Sequence, residues 1–239
     1  MIFKGILFDK DGTLIDFDAT WGPAAYEVMR ALAHGDARKL DALMAVSHYV
    51  EAERRFRPTS PLIAGSSASY GPLWAKALDR APGPDLYDEM DDLFRFWGLE
   101  TLAPIGEPAA VAAALVDRGL MVGIATNDAE GSARAQATAL GLDPYMAFVA
   151  GYDSGYDGKP NPGMVLAFAE ACGCRPSDVA LVGDTLHDLH AARAAGAASV
   201  AVLTGPTRAA AWPDLEPHAD YVIDSIADLP AFLDRLPVA

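Results

Sequence analysis

Apolar and polar positions along the chain follow two different rhythms. Residues 2–8 form a short apolar run, broken by Lys4 and bounded by Gly12, the pattern of a strand buried on both faces. From about residue 102 onward, similar runs alternate with helical segments. "GLMVGIATN" (119–127) reads as a strand entering a loop, and "EGSARAQATALG" (130–141) as a helix closed by Gly141. "AFVAG" (147–151) is a strand, and "PGMVLAFAEACG" (162–173) a helix opening on Pro162. The strand "DVALVGD" (178–184) precedes the small-residue helix "HDLHAARAAG" (187–196). The strands "ASVAVL" (198–203) and "DYVID" (220–224) and a terminal helix complete the series. This alternation predicts an α/β fold with a parallel sheet covered by helices on both faces.

Residues 17–98 break that rhythm. "WGPAAYEVMRALAHG", "DARKLDALMAVSHYVEAERRF" and "YGPLWAKALDRA" space their apolar residues by three and four, with little strand character. The expectation is an α-helical domain (17–98) inserted after the first strand, with 1–16 and 99–239 forming the α/β core. Pro58, Pro61, Gly65 and three nearby serines predict a loop inside the insertion.

Composition narrows the partners. Apolar residues make up 51% and charged residues 21%, an ordinary globular balance. A formal charge of −15 argues against nucleic acid or an anionic membrane, which reward clustered Lys and Arg. A small anionic substrate stays compatible, because a site can carry its own metal. The two cysteines, Cys172 and Cys174, stand one residue apart, a spacing that strains a disulfide and offers too few ligands for zinc. Reduced thiols in a cytoplasmic protein are expected. The first residues lack a signal-peptide pattern, and no run approaches the ~20 apolar residues of a spanning helix.

In an open parallel sheet, ligands bind beyond the carboxyl ends of the strands. Here those ends carry Asp9 and Asp11, then Thr126 and Asn127, Lys159, and Asp184 with Asp188. Singly, most have a plain reading: Thr-Asn as a turn or cap, a lysine before proline as a solvated loop residue, Asp184 and Asp188 as helix-capping acids. Asp9 and Asp11 resist one. Two carboxylates that close repel, so they call for a compensating cation, a raised pKa or a chemical task. Gly12 beside them suggests a close backbone approach or an unusual dihedral.

Taken together, "DKDGTLID", "ATN", the lysine of "GKPNP" and "GDTLHD" resemble, in that order, the haloacid-dehalogenase superfamily of aspartate-dependent phosphatases, and most of all its phosphoglycolate-phosphatase-like members. The resemblance covers nearly the whole chain. It implies a Rossmann-like doubly wound core with a helical cap. It also implies that Asp9 is the nucleophile and Asp11 the general acid and base. Thr126, Asn127 and Lys159 would bind the phosphoryl group. Four aspartates and a phosphate exceed what Lys159 can neutralise, so a hard divalent cation is expected, and oxygen ligands suit Mg²⁺. By resemblance the metal lies on the Asp9 carboxylate, the Asp11 backbone carbonyl and Asp184, with Asp188 behind them. His187 and His190 flank Asp188 and are read as solvated or dipole-related. Gly163 stands where an acidic residue is usual. Lys10 is read as a variable position facing away from the phosphate.

The function expected is hydrolysis of a small phosphorylated metabolite, with phosphoglycolate as leading guess. Asp11 argues against dehalogenation, whereas a hexose-phosphate mutase shares the same core. A phosphonate-cleaving enzyme would need a cap lysine, Lys39 or Lys76, both read as solvated. A receiver-like phospho-aspartate switch would be about half this length, with its aspartate on a middle strand. The cap is expected to exclude water by closing, with hinges near Ile15–Asp18 and Gly98–Pro104. Trp21, Arg54, Arg55, Arg57, Ser66, Ser67, Tyr70 and Trp74 are candidates for substrate choice, each with packing or a solvated face as its plainer role.

Overall fold

In a computed structural model that describes residues 3–206 and 212–236, the chain starts with β1 (Gly5–Phe8) and then runs through four helices. These are α1 (Phe17–Ala33), α2 (Ala37–Val46), α3 (Ser67–Ala77) and α4 (Pro84–Glu100). Between α2 and α3 lie the two-residue strands β2 (Tyr49–Val50) and β3 (Arg55–Phe56). The α/β series follows as α5 (Pro108–Val116), β4 (Met121–Ala125), α6 (Glu130–Ala139), β5 (Met146–Ala150), α7 (Gly163–Ala171), β6 (Val179–Gly183), α8 (Leu186–Ala195) and β7 (Ala198–Val202). It ends with α9 (Trp212–Leu215), β8 (Tyr221–Ile223) and α10 (Leu229–Arg235). Two units result: Met1–Asp16 with Pro104–Ala239, and Phe17–Ala103.

In the first unit, six parallel strands stand in the order β5-β4-β1-β6-β7-β8, so the sheet is α/β and doubly wound. β1 lies between β4 and β6, where the winding reverses, and its carboxyl end is therefore the crevice in which such sheets bind ligands. The apolar run of β1 is buried on both faces, as a central parallel strand requires. Phe168 of α7 packs flat on this sheet because β1 and β4 each offer a glycine there. A Cβ on Gly5 would lie 2.8 Å, and one on Gly123 2.9 Å, from its ring. The helix α5 escapes a periodicity search because "PAAVAAALV" is apolar on every face, although only Pro108, Val111, Ala112 and Leu115 are buried.

The second unit is helical, with one correction to its sequence reading. Helical spacing across 36–56 holds only to Val46. His48 adopts a left-handed backbone (φ 50°), and Tyr49 pairs with Phe56 in an antiparallel hairpin. Tyr49 and Phe56 are buried there with their rings edge to face at 5.3 Å, which explains how two short strands persist. Trp21, Tyr70, Trp74 and Phe94 form the aromatic core of this unit. Trp74 donates its indole N–H to Ser47 Oγ at 2.9 Å, and Ser67 Oγ bonds the Asp91 carboxylate. Among the described residues no helix is long and apolar enough to cross a membrane.

Candidate active site

Strand register delivers the site. Phe8 pairs with Ile124 on one side and Val182 on the other, so Asp9 emerges between the ends of β4 and β6, its N–H bonded to Val182 O at 2.8 Å. The chain then turns tightly: Thr13, Leu14 and Ile15 donate back to Lys10 O, and Gly12 N–H donates to Ile15 O at 2.8 Å. Gly12 sits at φ +90°, and a Cβ there would meet Asp184 Oδ2 at 2.5 Å. Both reasons for a glycine suggested by the sequence hold at once.

Lys159 is the hub of the site. Its Nζ donates to Asp9 Oδ1 (2.5 Å), Asp188 Oδ1 (2.6 Å) and Ala125 O (2.8 Å), all buried. Asp188 uses its other oxygen to accept from Thr185 N and Oγ1, closing a capping box at the start of α8. Asn127 binds the main chain of Lys159 from both sides, its Nδ2 donating to Lys159 O and its Oδ1 accepting from Lys159 N. Thr126 Oγ1 donates to Asp11 Oδ2 at 3.2 Å and accepts from Asp128 N at 3.0 Å.

Burial sets the electrostatics. It pushes the Asp9 carboxyl up to about 7, with Lys159 pulling down and Asp188 and Asp11 pushing up. Asp184 is raised well above the ordinary carboxylate range by burial, then by Asp9 and Asp188. Burial alone would lower the Lys159 pKa, but Asp188 and Asp9 together outweigh it and leave it raised.

These acids fit a metal. Among the described residues, Asp9, Asp184 and Asp188 form the one group of three metal-competent side chains, with oxygens within 4.8 Å of one another. Asp184 Oδ1 accepts from Thr13 at 3.3 Å, whereas its buried Oδ2 has no hydrogen-bond partner. Gly205, after β7, also borders that oxygen: a Cβ there would lie 2.1 Å from it. An orphaned carboxylate oxygen cradled by two glycines suits a bound hard cation. With all three carboxylates ionised, one ammonium would leave a deficit of two positive charges, the charge a divalent ion would supply.

Sequence reasoning missed several residues here. Thr204 Oγ1 bonds Gly12 O at 2.6 Å, bringing the turn after β7 into the site, but a Thr-Gly pair after a strand carries no distinguishing signal. Lys10 is 1% exposed, despite its loop position. Its Nζ reaches Asp11 Oδ1, Gln136 Oε1 and Asp128 Oδ2. Burial would lower the Lys10 pKa, yet Asp11 and Asp128 leave it raised, while burial raises that of Asp128. His187 and His190 stay outside the acidic cluster, and His190 Nε2 faces His218 Nδ1 at 3.3 Å.

The chain is similar to known proteins in sequence and in fold. The family model of haloacid dehalogenase-like hydrolases matches residues 3–196. The chain is 32% identical over 213 residues to the phosphoglycolate phosphatase of Rhodospirillum rubrum, covering 86% of this chain and 81% of that one. It is 34% identical over 240 residues to the Escherichia coli K12 phosphoglycolate phosphatase, covering 95% and 90%. In fold it is similar to the crystal structure of a predicted phosphoglycolate phosphatase from Haemophilus somnus. There the TM-score is 0.71 at 21% identity, with 98% of this chain and 99% of that one covered.

Proposed function

Since the chain belongs to the haloacid dehalogenase-like hydrolases, we propose that it is a Mg²⁺-dependent phosphomonoesterase acting on a small phosphorylated metabolite. Phosphoglycolate is the leading candidate, supported by the relatives of that name. One observation carries the reading: a buried Asp9 carboxylate, held by Lys159, stands within metal-sharing distance of Asp184, whose buried Oδ2 has no hydrogen-bond partner.

The Asp9 carboxylate attacks phosphorus, the bond to the ester oxygen breaks, and Asp11 gives that oxygen its proton. Water then attacks the aspartyl phosphate and Asp11 takes the water's proton. Inorganic phosphate leaves and Asp9 is restored. Lys159 favours the ionised form of Asp9 and neutralises charge on the phosphoryl oxygens, to which Thr126 donates a hydrogen bond once its hydroxyl turns from Asp11 Oδ2. Asn127 serves the phosphoryl group by fixing Lys159. Asp9, Asp184 and the Asp11 main-chain carbonyl would hold Mg²⁺, with Asp188 behind them orienting Lys159. Bound there, the ion supplies the missing positive charge between carboxylates and phosphate. A cytoplasmic location belongs to the same proposal, supported by the free thiols of Cys172 and Cys174.

The test is phosphate release from a panel of metabolite phosphates, with Mg²⁺ and with chelator, for the native protein and Asp9→Asn. Mg²⁺-dependent release that Asp9→Asn abolishes while keeping its melting transition is expected. Full activity in Asp9→Asn, or interconversion of sugar phosphates without free phosphate, would overturn it.

A further inference from the structure

A lysine buried beneath the catalytic loop needs a reason. Lys10 is surrounded by β1, the loop after β4 and α6; its ammonium donates to Asp11 Oδ1 and Gln136 Oε1, each at 2.7 Å, and forms an ion pair with Asp128 Oδ2 at 3.1 Å. Stability is a poor explanation, because a buried ion pair is commonly matched or exceeded by a well-packed apolar side chain. The geometry has a direction instead. Asp128 is fixed by the N–H of Ala129 on its Oδ1, and Gln136 is wholly buried on α6. Gln136 by a hydrogen bond and Asp128 by an ion pair anchor the ammonium, which also donates to the carboxylate of Asp11. Asp11 is thus held by Lys10 at Oδ1 and by Thr126 Oγ1 at Oδ2, and when the Thr126 hydroxyl turns to the phosphoryl oxygens it opens Oδ2 to the leaving group while Lys10 keeps Oδ1.

We propose that Lys10 is a positioning residue for Asp11: anchored by Asp128 and Gln136, it fixes the Asp11 rotamer so that Oδ2 is the oxygen presented to the leaving group. This rests on Asp11 being the acid that protonates that group. A carboxylate that rotates freely delivers its proton in only a fraction of encounters, so the loss on removing Lys10 falls on the step that needs the proton. Esters with good leaving groups need it little. Alkyl phosphates need it fully.

The experiment compares the best alkyl phosphate from the panel above with p-nitrophenyl phosphate. The variants are Lys10→Met paired with Asp128→Asn, Gln136→Met alone, and Asp11→Asn as reference. Pairing the first two removes both buried charges together, so that neither is left buried without the other. If that pair does not fold, Gln136→Met carries the test. For the paired variant, kcat/KM, which reports only the steps up to departure of the leaving group and not the later hydrolysis common to both esters, is expected to fall about tenfold or more on the alkyl ester and less than about threefold on the aryl ester. Gln136→Met should move the same way by a smaller factor. Equal losses of kcat/KM on both esters, or none, with Asp11→Asn still selective, would overturn the positioning role and leave Asp11 as the acid. If Asp11→Asn itself shows no selectivity, the acid assignment fails and the positioning role falls with it.

Discussion

Asn127 grips Lys159 by its main chain. Nδ2 of Asn127 donates to Lys159 O at 2.9 Å, and Lys159 N donates to Asn127 Oδ1 at 2.8 Å. A side-chain amide matched in this way to the N–H and C=O of one residue fixes the lysine's backbone, from which its ammonium reaches Asp9. The two residues are 32 positions apart, so the loop after β4 and the loop after β5 are locked together at the point where Lys159 reaches Asp9.

Asn127→Leu removes both bonds, at about 1 kcal/mol each, and releases the Lys159 loop. We expect kcat/KM for phosphate release to fall by about tenfold to a hundredfold, since displacement of a catalytic group by about 1 Å has that scale of effect. Asn127→Asp keeps the acceptor for Lys159 N and loses the donor, so its loss should be intermediate. Steady-state kinetics with thermal melts separate this from unfolding. Native kinetics in Asn127→Leu would show that the clamp has no bearing on Lys159.

The cradle around Asp184 gives a second expectation. A methyl on Gly205 would lie 2.1 Å from Asp184 Oδ2 and 2.8 Å from its Cγ, so the carboxylate must turn away. Gly205→Ala should therefore raise the Mg²⁺ concentration for half-maximal activity by about tenfold or more, the scale found when groups supporting a metal ligand are disturbed. The measurement is a Mg²⁺ titration of phosphate release. An unchanged half-maximal concentration would mean that Asp184 Oδ2 does not face the ion.

How much of this was legible in the sequence depends on the range of each interaction. Asp9, Asp184 and Lys159 could be read because hydropathy locates strand ends, and strand ends in a parallel sheet converge on one edge. Gly12 announced its own constraint, since it stands between two acids and a turn. Lys10 could not be read. A lysine in a polar loop looks solvated, and Gln136, which helps bury it, lies 126 residues away on the inner face of α6. The hairpin at Tyr49 and Phe56 was hidden for another reason. Its strands are two residues long, too short for period two to compete with the helical spacing around them.

The last expectation concerns pH. Without metal, the Asp9 carboxyl titrates at about 7 in the folded protein against an ordinary 3.8, and Asp184 is raised in the same direction. Between those two values the folded chain keeps protons that the unfolded chain has lost, so stability falls as pH rises through this window. Lys159 adds no slope there, because its own raised pKa keeps it charged throughout. A divalent cation favours the ionised carboxylates and opposes the loss, so its stabilising effect must grow with pH. In thermal melts, the rise in Tm caused by Mg²⁺ should be small near roughly pH 5 and several degrees larger near roughly pH 8. Asp184→Asn should remove most of it, because the replacement takes away both the buried charge and the oxygen that has no partner. A Mg²⁺ effect that is the same at both pH values, or that survives in Asp184→Asn, would place the ion away from these aspartates.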